Sequence, residues 1–232
     1  MKKIGFAGAF DKTDFILYIA KFLTTMGKSV LFIDSTTTQK AKYVVPVINP
    51  TTTYFTEYES IDVAVGFKDW NGIQEYLGID SIDKIQYDYV LIDSDSPETF
   101  EKFGLETADI NYFVTSFDLY SLKRGLEIIS GIQNIIKMKK VLFAKEINRD
   151  DDEYLNFLSL NYKVEWDRDK IYFPLEQGDQ SVIIENQRVA KIKIRNLSNQ
   201  YRESLLTMVA QISGVESYSE LKRVMRTIEK GV

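Results

Sequence analysis

Lys2-Lys3-Ile4-Gly5-Phe6-Ala7-Gly8-Ala9-Phe10-Asp11-Lys12-Thr13 decides how the rest of the chain is read. Residues 2–7 have the length and apolar content of a short buried strand. Residues 8–13 read as a turn. Residues 14–26 then repeat apolar side chains at helical spacing: Phe15, Ile16, Ile19, Phe22, Leu23 and Met26. Gly27 closes that helix. Residues 30–34, Val-Leu-Phe-Ile-Asp, form a second buried strand ending in a carboxylate. Strand, turn, helix and strand make a βαβ unit, with a Lys-Thr pair at the helix start. Backbone amides and the helix dipole favour an anion at that point.

A phosphate-binding loop needs each of its parts. Glycines let backbone N–H groups close around phosphate oxygens, a lysine reaches the β- and γ-phosphates, and a threonine hydroxyl binds Mg²⁺. Lys12 and Thr13 stand in the right register. The glycine expected before the lysine is Asp11. The glycine that should open the loop is Phe6, with Gly5 one place early and Gly8 left inside the loop. A carboxylate at Asp11 would face the phosphates and repel them by several kcal/mol in a poorly screened pocket. The same residues also suit an ordinary βα turn, and the loop alone leaves both readings open.

Composition sets wider limits. The 232 residues, 44% of them apolar, suffice for one α/β domain with a full core. The net charge of −5 gives no bulk attraction to nucleic acid. There is no cysteine, hence no disulfide and no thiolate metal site. There is no histidine, which removes Ser-His-Asp chemistry and His-ligated zinc. The start lacks the apolar core of a signal peptide, and no apolar run would cross a bilayer. A cytoplasmic location is expected.

Along the chain, residues 43–48 read as an edge strand limited by Pro46, and 49–53 as a turn. Residues 61–65 read as a strand and 70–77 as a helix. Residues 87–93, Tyr-Asp-Tyr-Val-Leu-Ile-Asp, form the clearest strand and end in Asp93. A helix over 97–106 and a strand over 110–115 follow. The spacing predicts a helix over 118–137 with Leu122, Leu126, Ile129, Ile132 and Ile136 inward, then a strand over 141–144. The acidic run 149–153 reads as a solvated helix start, not a metal site. A strand over 171–174 and a helix over 196–213 complete the body. The alternation predicts an α/β fold: a mostly parallel twisted sheet with helices on both faces, over residues 1–214.

These landmarks, in this order, resemble the MinD/ParA family of P-loop ATPases, the deviant-Walker branch of the SIMIBI class. The family's Lys-Gly-Gly-x-Gly-Lys-Thr falls on residues 7–13. Its Asp-x-Asp falls on Asp34-Ser35-Thr36, and its Walker B strand on residues 87–93. The late strand ending in proline falls on residues 171–174. The resemblance implies ATP and Mg²⁺ as cofactors. Gly8, Asp11, Lys12, Thr13, Asp34 and Asp93 would bind nucleotide, with Thr13, Asp34 and Asp93 around the metal. Asp34 and Asp93 also suit a plainer role as caps of loops or helices.

Two departures matter. Where the family's first lysine reaches across a dimer, this chain has Ala7. Where the second carboxylate of Asp-x-Asp positions water, it has Thr36. Phosphoryl transfer depends on charge neutralisation, and a trans cation is worth ~10³ or more in rate. The resemblance therefore implies weak or absent hydrolysis, with no catalytic residue assigned. It suggests a protein that positions or assembles a partner complex, such as pilus, secretion or conjugation machinery. The alternative is an active ATP-dependent dimerising switch of the ParA type in DNA partition. Basic residues Arg188, Lys191, Lys193 and Arg195 would serve DNA, although Lys191, Lys193 and Arg195 alternate with Ile192 and Ile194 as on a segment with a basic outer face.

The tail, residues 215–232, opens on a Ser217–Glu220 capping box. Leu221, Val224, Met225 and Ile228 follow at helical spacing, with Lys222, Arg223, Arg226 and Lys230 around them. Such a helix either docks on the body through its four apolar residues or makes weak contact with anionic membrane.

Overall fold

Alternation of buried side chains along the strands sets the architecture. In the computed structural model, which describes residues 1–47, 51–145 and 149–231, strand β1 is Lys2–Ala7. Its Ile4 and Phe6 enter one core and Ala7 the other. In β2, Val30–Asp34, Val30 and Phe32 face the first core while Leu31 and Ile33 face the second. Strands apolar on both sides belong inside a sheet covered on both faces.

The remaining strands are β3 (Tyr54–Tyr58), β4 (Ile61–Val65), β5 (Tyr89–Ser94), β6 (Ile110–Ser116), β7 (Ile136–Ala144) and β8 (Val164–Pro174). They form one eight-stranded sheet in the order β3-β4-β2-β5-β1-β6-β7-β8. Every neighbouring pair is parallel except the β3–β4 hairpin. Glu59 and Ser60, both at positive φ, make that hairpin's tight turn.

One face is covered by α1 (Thr13–Thr25), α7 (Gln177–Val189), α8 (Asn199–Ser213) and α9 (Tyr218–Lys230). The other is covered by α3 (Trp70–Leu77), α4 (Pro97–Lys102), α5 (Leu119–Ile128) and α6 (Arg149–Leu158). The expected α/β class, mostly parallel sheet and two-sided helical cover are all present.

Several local expectations are corrected. The helix expected over 118–137 stops at Ile128, and Ile136 opens β7. Ile129 and Ile132 are buried beyond the helix end. Gly131 interrupts the helix, and from Ile136 the burial period changes to two, through Met138 and Lys140. The expected strand over 43–48 is displaced by a short helix, α2 (Ala41–Val44), because the Ala41 amide donates to Asp34. Residues 48–50, which include the end of that strand and part of the expected turn, lie outside the described residues. The helix over 97–106 ends at Lys102, and Gly104 takes a left-handed conformation before a short 3₁₀ turn at Leu105–Thr107.

Two elements carry no clear sequence signal. Buried and exposed residues do not alternate cleanly along β3. Helix α7 is held largely by polar contacts. Asn186 donates to the Tyr18 hydroxyl (2.8 Å) and the Lys193 carbonyl (2.7 Å), and Asp179 accepts from the Ser198 amide (2.6 Å).

The acidic run does start a helix, α6, though the side chains of residues 149–151 lie outside the described residues. Asp152 is not simply solvated. It accepts from Lys140 and Lys170, each at 2.6 Å. Lys140 is buried under Trp166, and this pair fixes where α6 sits on the sheet.

Helix α9 begins at Ser217, which accepts the Glu220 amide, and ends at Gly231 in the left-handed region. Leu221 and Ile228 are 1% and 5% exposed within the first core, and Val224 and Met225 pack against it. The body, chiefly α1 and α8, thus takes up the apolar stripe. Among the described residues no helix is long and apolar enough to cross a membrane.

Candidate functional site

Parallel register brings three strand ends together. Asp34 of β2 lies beside Asp93 of β5, and Asp93 lies beside Phe6 of β1. The site therefore opens at the carboxyl edge of the sheet, where parallel α/β folds gather their polar groups. Gly8 leaves β1 with φ +147°. A Cβ there would fall 2.0 Å from the Val114 carbonyl oxygen, so this position requires glycine to keep the loop against β6.

Lys12 points into the protein. Its ammonium donates to the carbonyls of Gly8 (2.6 Å) and Phe10 (3.1 Å) of its own loop. It also stands 3.0 Å from Asp93 Oδ1, an ion pair whose angles fall outside hydrogen-bond geometry. The two side chains are 2% and 1% exposed. Burial drives the Asp93 carboxyl up to about 8, against the pull of Lys12 and helped by the negative charge of Asp34.

Asp34 is also satisfied locally. Its Oδ1 accepts from the Thr36 amide (3.1 Å) and hydroxyl (2.6 Å), and its Oδ2 from the Ala41 amide (2.8 Å). Burial raises its carboxyl above the usual range, opposed by these three hydrogen bonds and by Lys12. Asp11 Oδ1 accepts the Thr13 amide at 3.1 Å, one of the amides that open α1. Its other oxygen pairs with Lys40, which also binds Asp14 at 2.6 Å. Thr13 is buried at the start of α1.

A pocket of about 290 Å³ lies over these residues. Besides the loop, it is lined by Thr36, Thr37, Asp95, Tyr120 and Arg124. Asp95 holds Thr37 by accepting its amide at 2.9 Å. Tyr120 and Arg124 project from α5, whose first turn is capped by Asp118 accepting the Ser121 amide (2.9 Å).

Hydrogen bonds from Ser116 and Ser121 hold the Asp118 carboxyl down at about 2. Asp118→Ala should cost about 1 kcal/mol at neutral pH. A depressed carboxylate stabilises the fold above its unfolded value of about 3.9. That contribution is lost as pH falls through about 2. Urea melts of both proteins from pH 7 down to about 2 should therefore converge; an undiminished gap would refute the assignment.

The residues expected to hold nucleotide and Mg²⁺ come together at this edge of the sheet, where Lys12, Asp11 and Asp34 are each engaged by partners within the protein. The Lys12 cation is engaged internally by two carbonyl acceptors and the ion pair with Asp93, and a carboxylate stands on the Thr13 amide. Three hydrogen bonds take up most of the lone pairs of Asp34.

Comparison with solved structures decides the fold. A chain of the MinC:MinD cell division protein complex from Aquifex aeolicus superposes with a TM-score of 0.62 at 12% identity, over 94% of this chain and 98% of that one. An ATP complex of a McdA variant from Cyanothece gives 0.59 at 12%, over 94% and 98%. The ParA family ATPase from Chlorobium tepidum TLS gives 0.57 at 15%, over 90% and 97%. This is the MinD/ParA fold. No protein-family model and no curated protein matches the sequence.

Within the MinD/ParA fold the two departures acquire places. Ala7 is fully buried in the second core. Thr36 lines the pocket with its hydroxyl turned onto Asp34. Lys40, Asp95, Tyr120 and Arg124 are not among the site residues expected from the sequence. Asp95 stands only two residues beyond Asp93 and was within reach of the sequence, whereas Lys40, Tyr120 and Arg124 sit at no recognisable spacing from the motif residues.

Proposed function

We propose that this chain is a MinD/ParA-fold protein that positions or assembles a protein partner and does not work by ATP turnover. The observation that carries this reading is Lys12. Its ammonium is committed to Gly8, Phe10 and the buried Asp93. Asp11 supports the same reading by placing a carboxylate on the Thr13 amide, where a phosphate oxygen would otherwise sit. The partner is inferred from the fold shared with a chain of the MinC:MinD cell division protein complex, which is itself an assembly of two proteins.

The native protein with ATP and Mg²⁺ should release phosphate no faster than buffer. Its mass by light scattering should not double on adding nucleotide. Its melting temperature should stay fixed in ATP, because only a ligand of the folded state raises it. Asp11→Gly removes the competing carboxylate. If ATP then stands at about 100 times its Kd, binding adds roughly 2.7 kcal/mol. For a chain of this size that raises the melting temperature by roughly 5–10 °C. An equal rise in the native protein, or steady phosphate release, would favour the dimerising switch of the ParA type. No rise in either protein would remove Asp11 as the blocking group.

A further inference from the structure

A second cavity, of about 620 Å³, opens far from the Lys12 loop, between α9 and residues 191–196. Its floor is apolar: Ile192, Ile194 and Ile228 line it and are buried. The backbone of residues 191–194 is irregular, yet the alternation survives, so Lys191, Lys193 and Arg195 face outward while the isoleucines face in.

The cations divide into two sets. Lys21 and Lys191 share Glu59, at 2.7 and 3.0 Å. Glu229, also on the lining, is engaged by Arg202 at 2.7 Å. Lys193, Arg195 and Lys230 are exposed, and among the described residues none has an acidic partner. Three such cations around an apolar floor, on a chain of net charge −5, make a local field opposite in sign to the whole molecule.

We infer that this cavity docks an acidic segment of a protein partner, with one apolar side chain seated on the isoleucine floor and flanking carboxylates on Lys193, Arg195 and Lys230. The kind of occupant rests on the partner-assembly reading above. Charge complementarity selects carboxylates, and the apolar floor selects a side chain between them. A duplex offers phosphates along its backbone but no apolar side group to fill a concave floor. A flat anionic bilayer surface does not enter it either.

The test uses the full chain and a fluorescent peptide with one leucine between two glutamate pairs. A glutamine version of that peptide, a short DNA duplex and phosphatidylserine vesicles serve as comparison arms. The acidic peptide should bind, the glutamine version should not, and binding should weaken with added salt. The combined Lys193→Glu, Arg195→Glu and Lys230→Glu variant should lose roughly tenfold or more in affinity. Its melting temperature should match the native one, since all three side chains are exposed. Absence of peptide binding, or equal binding by the variant, overturns the proposal. So does tighter binding of duplex or vesicle through the same three residues. ATP turnover would sink the earlier reading and leave this binding intact, so the two fail separately.

Discussion

Replacing Lys12 with alanine lowers the stability of the folded chain by about 3–5 kcal/mol. A phosphate-binding lysine that waits in solvent would cost little to remove. Lys12 instead stands 3.0 Å from Asp93, with both side chains almost wholly buried. Removing the lysine takes away the cation that favours the charged form of Asp93, a carboxyl that burial already raises to about 8. It leaves a polar group in a medium that solvates it poorly. The two loop carbonyls of Gly8 and Phe10 lose their donor as well. Combining Lys12→Met with Asp93→Asn removes both charges and should restore a large part of the loss. Urea melts read this directly, provided the slope is unchanged between proteins. A loss below about 1 kcal/mol for Lys12→Ala would mean that the lysine leaves Asp93 at little cost. The locked cation, and with it the argument against turnover, would then fall.

A chain ending at Gly214 should be less stable by about 3–6 kcal/mol, since each fully buried Leu or Ile contributes roughly 1.5–3 kcal/mol. Helix α9 buries two, Leu221 and Ile228, and packs Val224 and Met225 against the same core. Its removal also uncovers apolar surface on α1 and α8. The Arg202–Glu229 pair, at 2.7 Å and partly exposed, adds little. The check is the urea midpoint of the truncated against the full chain. Flotation on anionic vesicles supplies the second readout. Neither form should float, because the apolar stripe is occupied by the body. Flotation of the full chain that disappears on truncation would show that α9 leaves the core for lipid.

The first βαβ unit was legible because its signals are local. An apolar strand, a helical period from Phe15 to Met26 and a second strand ending in Asp34 need no tertiary partner to be recognised. The clear strand ending in Asp93 belongs with them, and parallel register then places the two carboxylates side by side. The tail was legible for the same reason: its cap, its stripe and its terminal glycine all lie within one short run from Ser217 to Gly231.

Where the signal depends on packing, the sequence misleads. Ile136 fits a helical period that begins at Leu122, yet it opens a strand because β8 pairs with β7 there, Ile136 beside Val164. Helix α7 shows no strong apolar face because Asn186 and Asp179 hold it through polar contacts to distant residues.

The sequence by itself determined the fold class, the carboxylate-tipped strands and the positions of Asp11, Lys12 and Thr13 in the loop. It could not say which way Lys12 points. That direction depends on Asp93, far along the chain, and on how deeply both are buried, since a buried carboxylate draws the nearest cation more strongly than water does. Nor could it pair Asp11 with Lys40, which the loop after β2 carries back to the start of α1. Tertiary structure decided that these charges answer one another, because solvent exclusion makes an internal partner for each of them far cheaper than none.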